Sequence, residues 1–162
     1  MDTIRKILVP TDFSAHAVEA FRAAQTLARA VGAEVILFHV ARPPAVVAEN
    51  GKLLAQPGKP DAADLWDRFH GIQQDPNVRV EHEVIVTHRP RAGHILEMLD
   101  KLGCDLIVMG THRRSWLKQL LFGSVVAEVV RLAHCPVMVV KALVPAREPR
   151  VPVLSGSHDH AQ

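Results

Sequence analysis

The chain has 162 residues, 48% of them apolar and 22% charged, with a net charge of +2. That is enough sequence for one domain with a real core, and it is too apolar for a disordered chain. The small net charge excludes a nucleic-acid footprint spread over the whole molecule. No apolar run reaches the roughly 18–20 residues that cross a bilayer, and the start MDTIRKILVPTDFS has no signal-peptide h-region, so a cytoplasmic location is expected.

Residues 4–10, IRKILVP, read as a buried strand that ends at Pro10. Ser14 suits the N-cap of the next element. Val18, Phe21, Gln25, Ala28 and Val31 then share one stripe, the period of a helix, which Gly32 closes as a C-cap. AEVILFHV, 33–40, is the second strand. Residues 42–60 carry four prolines and two glycines and no sustained period, which predicts a long loop of the kind that covers a site or stays disordered. Leu65, Phe69 and Ile72 mark a short helix. VRVEHEVIV, 78–86, alternates and then turns apolar, as a strand near a sheet edge does. Ile95, Leu96, Leu99 and Leu102 mark a third helix closed by Gly103. CDLIVMG, 104–110, is a short buried strand; Val125, Val126, Val129, Val130 and Ala133 form a fourth helix; CPVMVVKALV, 135–144, is the last strand.

Regular alternation of strand and helix implies right-handed crossovers and a mainly parallel sheet covered on both faces. Ligands of such sheets bind beyond the carboxyl ends of the strands, where the strand order reverses. The segments to inspect are therefore TDFS (11–14), the proline-rich loop, and THRRS (111–115). Gly110 follows a strand directly, where glycine permits positive φ and close approach of a ligand; its plain alternative is a turn residue. Gly123 and Ser124 stand at the expected start of the fourth helix, where unpaired N–H groups favour an anion; their plain alternative is an ordinary cap. Asp12, two residues before Ser14, is equally placed to turn the chain into the first helix.

Three stretches, KILVPTDFS, LGCDLIVMGTH and LFGSVVAEVVRLAHCPVMVV, resemble the universal stress protein family, and the likeness extends over about residues 3–141. The resemblance implies an α/β fold with a five-stranded parallel sheet in the order 3-2-1-4-5, with residues 1–144 as the domain and 145–162 as a tail expected to be disordered. It also implies a homodimer through the last strand, Val137–Val144. Some members bind ATP and others do not. The ATP-binding pattern G-x2-G-x9-G-[ST] is met by Gly110, Gly123 and Ser124, but its second glycine is Arg113. The resemblance carries over Asp12 to the phosphates, ribose or a metal ion, Val40 to a backbone contact with adenine, and Met109 and Val125 to the same site. His88 stands where many members have glycine, in the turn before the third helix.

Two outcomes for Arg113 have similar magnitude. In a backbone that needs positive φ, arginine costs about 1–2 kcal/mol and the loop rearranges. A guanidinium that reaches the phosphates gains about 1.5–3 kcal/mol. With His112, Arg114 and Lys118, the stretch is basic and suits an anion.

The expected function is a stress-response regulator that binds an adenine nucleotide (ATP, ADP or AMP), with magnesium where Asp12 and the phosphates share it. The alternative is a nucleotide-free dimeric interaction module whose site Arg113 closes. No Walker loop, G-x-S-x-G elbow, paired-carboxylate motif or G-x-G-x-x-G fingerprint is present, so no enzyme is expected. The expected partner is the second copy, with neither nucleic acid nor membrane, and the sequence does not name its other protein partners. Cys104 and Cys135 read as reduced thiols packed near the core, and the scattered histidines as surface or satisfied groups rather than a metal site.

Overall fold

Strand β1 (Lys6–Thr11) buries Ile7, Leu8 and Val9 completely. Consecutive side chains point to opposite faces, so such a strand must lie at the centre of a sheet covered on both sides. In the computed structural model, which describes residues 3–42, 46–47, 53–54, 62–111 and 125–141, β1 is that centre. Helix α1 (Ala15–Val31) leads to β2 (Glu34–Ala41); α2 (Ala62–His70) precedes β3 (Val80–Val86); α3 (Arg91–Leu102) precedes β4 (Leu106–Thr111); α4 (Val125–Leu132) precedes β5 (Val137–Lys141). All pairs in the main sheet are parallel and the order is β3-β2-β1-β4-β5, which is the expected 3-2-1-4-5. β3 is an edge strand, as its alternation indicated.

Two cores follow from the alternation along each strand. Ile7, Val9, Val35, Leu37, Leu106 and Val108 pack with Ala20, Phe21 and Ala24 of α1 and Phe69 of α2. Leu8, Ile36, Phe38, Ile107 and Met109 pack on the other face with Ile95, Met98 and Leu99 of α3 and Val129 of α4. Helix α1 begins and ends where its sequence says. Ser14 Oγ accepts the Ala17 N–H at 3.3 Å, and Gly32 closes the helix in the left-handed region at φ 73°. Its buried face keeps Phe21, Gln25 and Ala28 of the expected stripe and adds Ala17, Ala20 and Ala24, whereas Val31 is 39% exposed. The alanines let the helix axis approach the sheet, so the small residues rather than the valines face inward. Gly103 ends α3 in the same left-handed way, at φ 61°.

The segment 42–60 is not wholly without structure. Val46–Val47 and Leu53–Leu54 pair antiparallel as a separate ribbon. Two-residue strands carry no period, so nothing in the sequence marked them. The expected extension of β5 to Val144, and the tail 145–162, lie outside the described residues. Both cysteines are free thiols. Cys104 is buried, which pushes its thiol up to about 11, and burial raises Cys135 as well. Such thiols stay protonated and unreactive. Among the described residues, no helix is long and apolar enough to cross a membrane.

β1 is tied to its neighbours unequally. Against β2 it is in register from Lys6↔Glu34 to Thr11↔His39; against β4 it is in register only at Ile7↔Leu106 and Leu8↔Ile107. At the amino end the β1–β4 join is reinforced by Asp105, whose Oδ2 accepts the Arg5 N–H at 2.8 Å and the Lys6 N–H at 2.9 Å. These two bonds hold the Asp105 carboxyl below its ordinary range. A depressed carboxylate pKa stabilises the fold in full above the unfolded value of about 4, and that contribution is lost as the pH falls through the folded value. Asp105→Ala is therefore expected to lose about 1 kcal/mol at pH 7, the low end for a charged acceptor because solvent reaches it. Urea denaturation should show the wild-type and variant stabilities converging as the pH falls through the folded value; a gap that persists once the carboxyl is protonated would mean that charge is not the cause.

Candidate functional site

Beyond Leu8 and Ile107 the carboxyl ends of β1 and β4 part, at the point where the strand order reverses. A cavity of about 510 Å³ occupies the gap. That is a size suited to a small organic ligand. Pro10, Thr11 and Asp12 line it from β1 and its turn, Phe38, His39 and Val40 from β2, and Met109, Gly110 and Thr111 from β4. Ile95 of α3, Val126 and Val130 of α4 and Val139 of β5 supply an apolar wall. Arg91, at the start of α3, and Lys141, at the end of β5, are the cations among its lining residues. The amino ends of two helices face it, α1 through Ser14, His16 and Ala17, and α4 through Val125, Val126 and Ala127. Both termini offer backbone N–H groups and the positive end of a helix dipole.

Gly110 is glycine for a reason other than positive φ. It lies within β4, and the positive-φ glycines among the described residues are Gly32 and Gly103. A Cβ at Gly110 would sit 2.9 Å from the backbone nitrogen of Ala17 and closer still to the His16 carbonyl. The first turn of α1 rests directly on this strand, and only glycine leaves it room.

The β1–α1 turn is built from its own side chains. Asp12 Oδ1 accepts the Ser14 N–H at 3.0 Å, an Asx turn, and Thr11 Oγ1 accepts the Phe13 N–H at 3.0 Å. Asp12 thus performs the turn role open to it in the sequence while also lining the cavity. Phe13 has φ 62°, an uncommon conformation for a side chain this large. Its ring is held from three sides: His39 at 4.6 Å between centroids, Phe69 edge-on at 5.0 Å, and the Arg68 guanidinium at 4.6 Å. His39 lies 2.7 Å from the Thr11 carbonyl through Nδ1. A carbonyl only accepts, so Nδ1 carries the proton. Burial pushes the His39 pKa down, and the charges of Arg68 and Arg91 add to that, so the ring is neutral at neutral pH. Farther out, the Gln74 amide donates to His82 Nε2 at 3.0 Å, and burial and the nearby His70 lower the His82 pKa in the same direction.

The turn before α3 is fastened to the helix. Thr87 Oγ1 accepts the Arg89 N–H at 3.1 Å. The buried His94 stands 3.2 Å from that hydroxyl through Nε2 and 2.9 Å from Glu97 Oε2 through Nδ1, and Arg89 lies 3.2 Å from Glu97. Thr87, His94 and Glu97 have the order of a hydrolytic relay, but none lines the cavity, and their contacts serve to hold the turn. His88, expected at the rim, is exposed and not among the lining residues.

Of the residues singled out in the sequence, Asp12, Val40, Met109, Gly110 and Val125 come together around this one cavity. Arg113, Gly123 and Ser124, with His112, Arg114 and Lys118, lie outside the described residues; α4 begins at Val125, directly after Gly123 and Ser124. Arg91 and Lys141 escaped the sequence reading. Neither belongs to the phosphate-loop pattern, and only the crossovers bring them to one cavity. Among the described residues, no three His, Cys, Asp or Glu side chains group as metal ligands do.

Comparison with known proteins gives a consistent result. Residues 3–141 match the universal stress protein family. A universal stress protein of Methanocaldococcus jannaschii is 33% identical over 141 residues, covering 85% of this chain and 82% of its own. A universal stress protein solved in complex with cAMP superposes with a TM-score of 0.59 at 22% identity, over 86% of this chain and 98% of that one. One from Archaeoglobus fulgidus in complex with dAMP gives 0.59 at 20% identity, over 85% of this chain and 98% of that one. At such identities the two structures speak for the fold.

Proposed function

The chain belongs to the universal stress protein family, and on that premise we propose that its cavity binds an adenine nucleotide and that the protein works as a homodimeric regulatory binding module in the response to stress. The observation that carries this reading is convergence: residues from four strands and three helices meet at the β1–β4 parting, around a cavity of nucleotide size. Universal stress proteins in complex with cAMP and with dAMP, which share this fold, support the ligand class. In this reading the Val40 backbone meets the base, packed against Phe38, Met109 and Ile95, and Asp12 meets the ribose. The phosphates lie toward the amino end of α4, which begins at Val125, directly after Gly123 and Ser124 in the sequence. A magnesium ion carried by the phosphates would find Asp12 as the carboxylate lining the cavity. Among the described residues, no lining side chain is set up as an activated nucleophile, and we read the cavity as a binding site.

The dimer is supported by the exposed edge of β5. Met138 is 42% exposed and Val139 39%, and beside them on α4 Val130 is 51% and Leu132 49%. An open apolar edge of this kind is a pairing surface unless it is covered, and a second copy paired through Val137–Val144 covers it. The second reading, a nucleotide-free module, is favoured by one fact: helix packing accounts for Gly110 and the Asx turn accounts for Asp12 without any ligand.

Calorimetric titration with AMP, ADP and ATP, with and without magnesium, tests the reading. Saturation at a hundred times Kd should stabilise the fold by about 2.7 kcal/mol, a rise in Tm of roughly 5–11 °C for a chain of this length. An Arg113→Gly variant run in parallel separates the two readings. A gain of binding means that arginine closes the site, and a loss means that it serves it. Absence of binding in both proteins would overturn the nucleotide assignment, and a light-scattering mass equal to one chain would overturn the dimer.

A further inference from the structure

Arg91 is set apart from the other basic residues near the cavity. It opens α3 immediately after Pro90, a position with no side-chain cap. Its neighbour Arg89 is taken up by Glu97. The turn that carries both is fixed by Thr87 and the buried His94, while Ala92 and Ile95 are seated in the core at 1% and 2% exposure. The backbone of Arg91 is therefore held at the cavity wall, and its side chain lines the cavity. Among the described residues its guanidinium makes no hydrogen bond or ion pair.

Its end of the cavity is the β2 end. The charge of Arg91 acts on His39, the residue before Val40, and contributes to keeping that ring neutral. Ala92 and Ile95, which follow Arg91 on α3, pack in one core with Phe38 and Val40 of β2, whereas Lys141 stands on β5 at the edge of the sheet. β2 and β5 are separated by β1 and β4, three strand spacings or about 14 Å. Beside His39 and Asp12, the residues Val40, Ile95 and Met109 give the cavity an apolar lining, and a planar cation with donors and no acceptor fits there against an aromatic ring that carries ring-nitrogen acceptors.

We propose that Arg91 is a nucleobase contact, its guanidinium lying against the purine and not on the phosphates. The proposal rests on the nucleotide reading above. It concerns a residue that the phosphate-loop pattern does not include.

The test compares adenosine with ATP as ligands of the wild type, Arg91→Ala and Arg91→Lys. Arg91→Ala should weaken both ligands alike, by about 5- to 30-fold, the range for a cation on a desolvated aromatic face. Arg91→Lys should recover only part of the loss, because the ammonium lacks the plane. Loss confined to ATP would place Arg91 on the phosphates and overturn the proposal, as would unchanged affinity for both ligands. Wild type that binds ATP but shows no measurable adenosine binding also counts against it. Wild type that binds neither sinks the nucleotide reading, and this inference with it. Arg91 is exposed, so equal thermal unfolding of the three proteins is expected and confirms that folding is not the cause.

Discussion

Gly110→Ala is expected to cost about 3 kcal/mol, lowering Tm by roughly 6–12 °C. The added methyl meets backbone on α1, the His16 carbonyl and the Ala17 nitrogen, and not the end of a flexible side chain. Relief requires the whole first turn of α1 to lift from β4, which also moves the cavity wall at Ser14, His16 and Ala17. Gly93→Ala is the matched control. A Cβ there meets nothing within 4 Å, and an alanine inside α3 should stabilise by about 0.5–1 kcal/mol. Thermal unfolding of the pair decides the point. A Gly110→Ala protein within 2 °C of the wild type would mean that α1 does not rest on β4 as closely as described.

Phe69→Ala should be more costly, about 3–5 kcal/mol in urea denaturation, the range for emptying a fully buried aromatic site. Phe69 is 0% exposed and is the main anchor of α2. Its ring touches Phe13 and His82, each at 5.0 Å between centroids, and Trp66 at 5.9 Å. Removing it leaves the short α2 with Leu65 as its other buried side chain and withdraws one of three supports from the strained Phe13. Hydrogen exchange should therefore show Ala62–His70 losing protection first, followed by the β1–α1 turn. A loss below 1 kcal/mol, or exchange confined to α2, would show that the turn does not lean on it.

The sequence made the element order plain, because apolar runs of strand length alternate with stripes of helical period, and the caps at Ser14, Gly32 and Gly103 fell where local chemistry puts them. What escaped it depends on residues far apart in the chain. Gly110 could be flagged as special, but its reason lies some ninety residues upstream, in the path of α1. On α1 the expected stripe held at Phe21, Gln25 and Ala28, but the exposure of Val31 and the inward turn of Ala17, Ala20 and Ala24 depend on the closeness of helix and sheet, a tertiary fact. Arg91 and Lys141 carry no local signature, and Arg89, two residues from Arg91, is spent on an ion pair that only the folded turn creates.

The uneven tie of β1 to its neighbours makes the sheet two leaves. One leaf, β3-β2-β1, is in register along most of each strand, from Val35↔Val80 to Ala41↔Val86 and from Lys6↔Glu34 to Thr11↔His39. The other, β4-β5, is in register from Ile107↔Val137 to Thr111↔Lys141. They are joined edge to edge at only two positions, Ile7↔Leu106 and Leu8↔Ile107, near the amino ends. If a nucleotide lodges at the open end, as proposed, it would act as a spacer that sets how far the leaves spread, and because β5 borders one leaf, its angle to a second copy would register whether the spacer is in place.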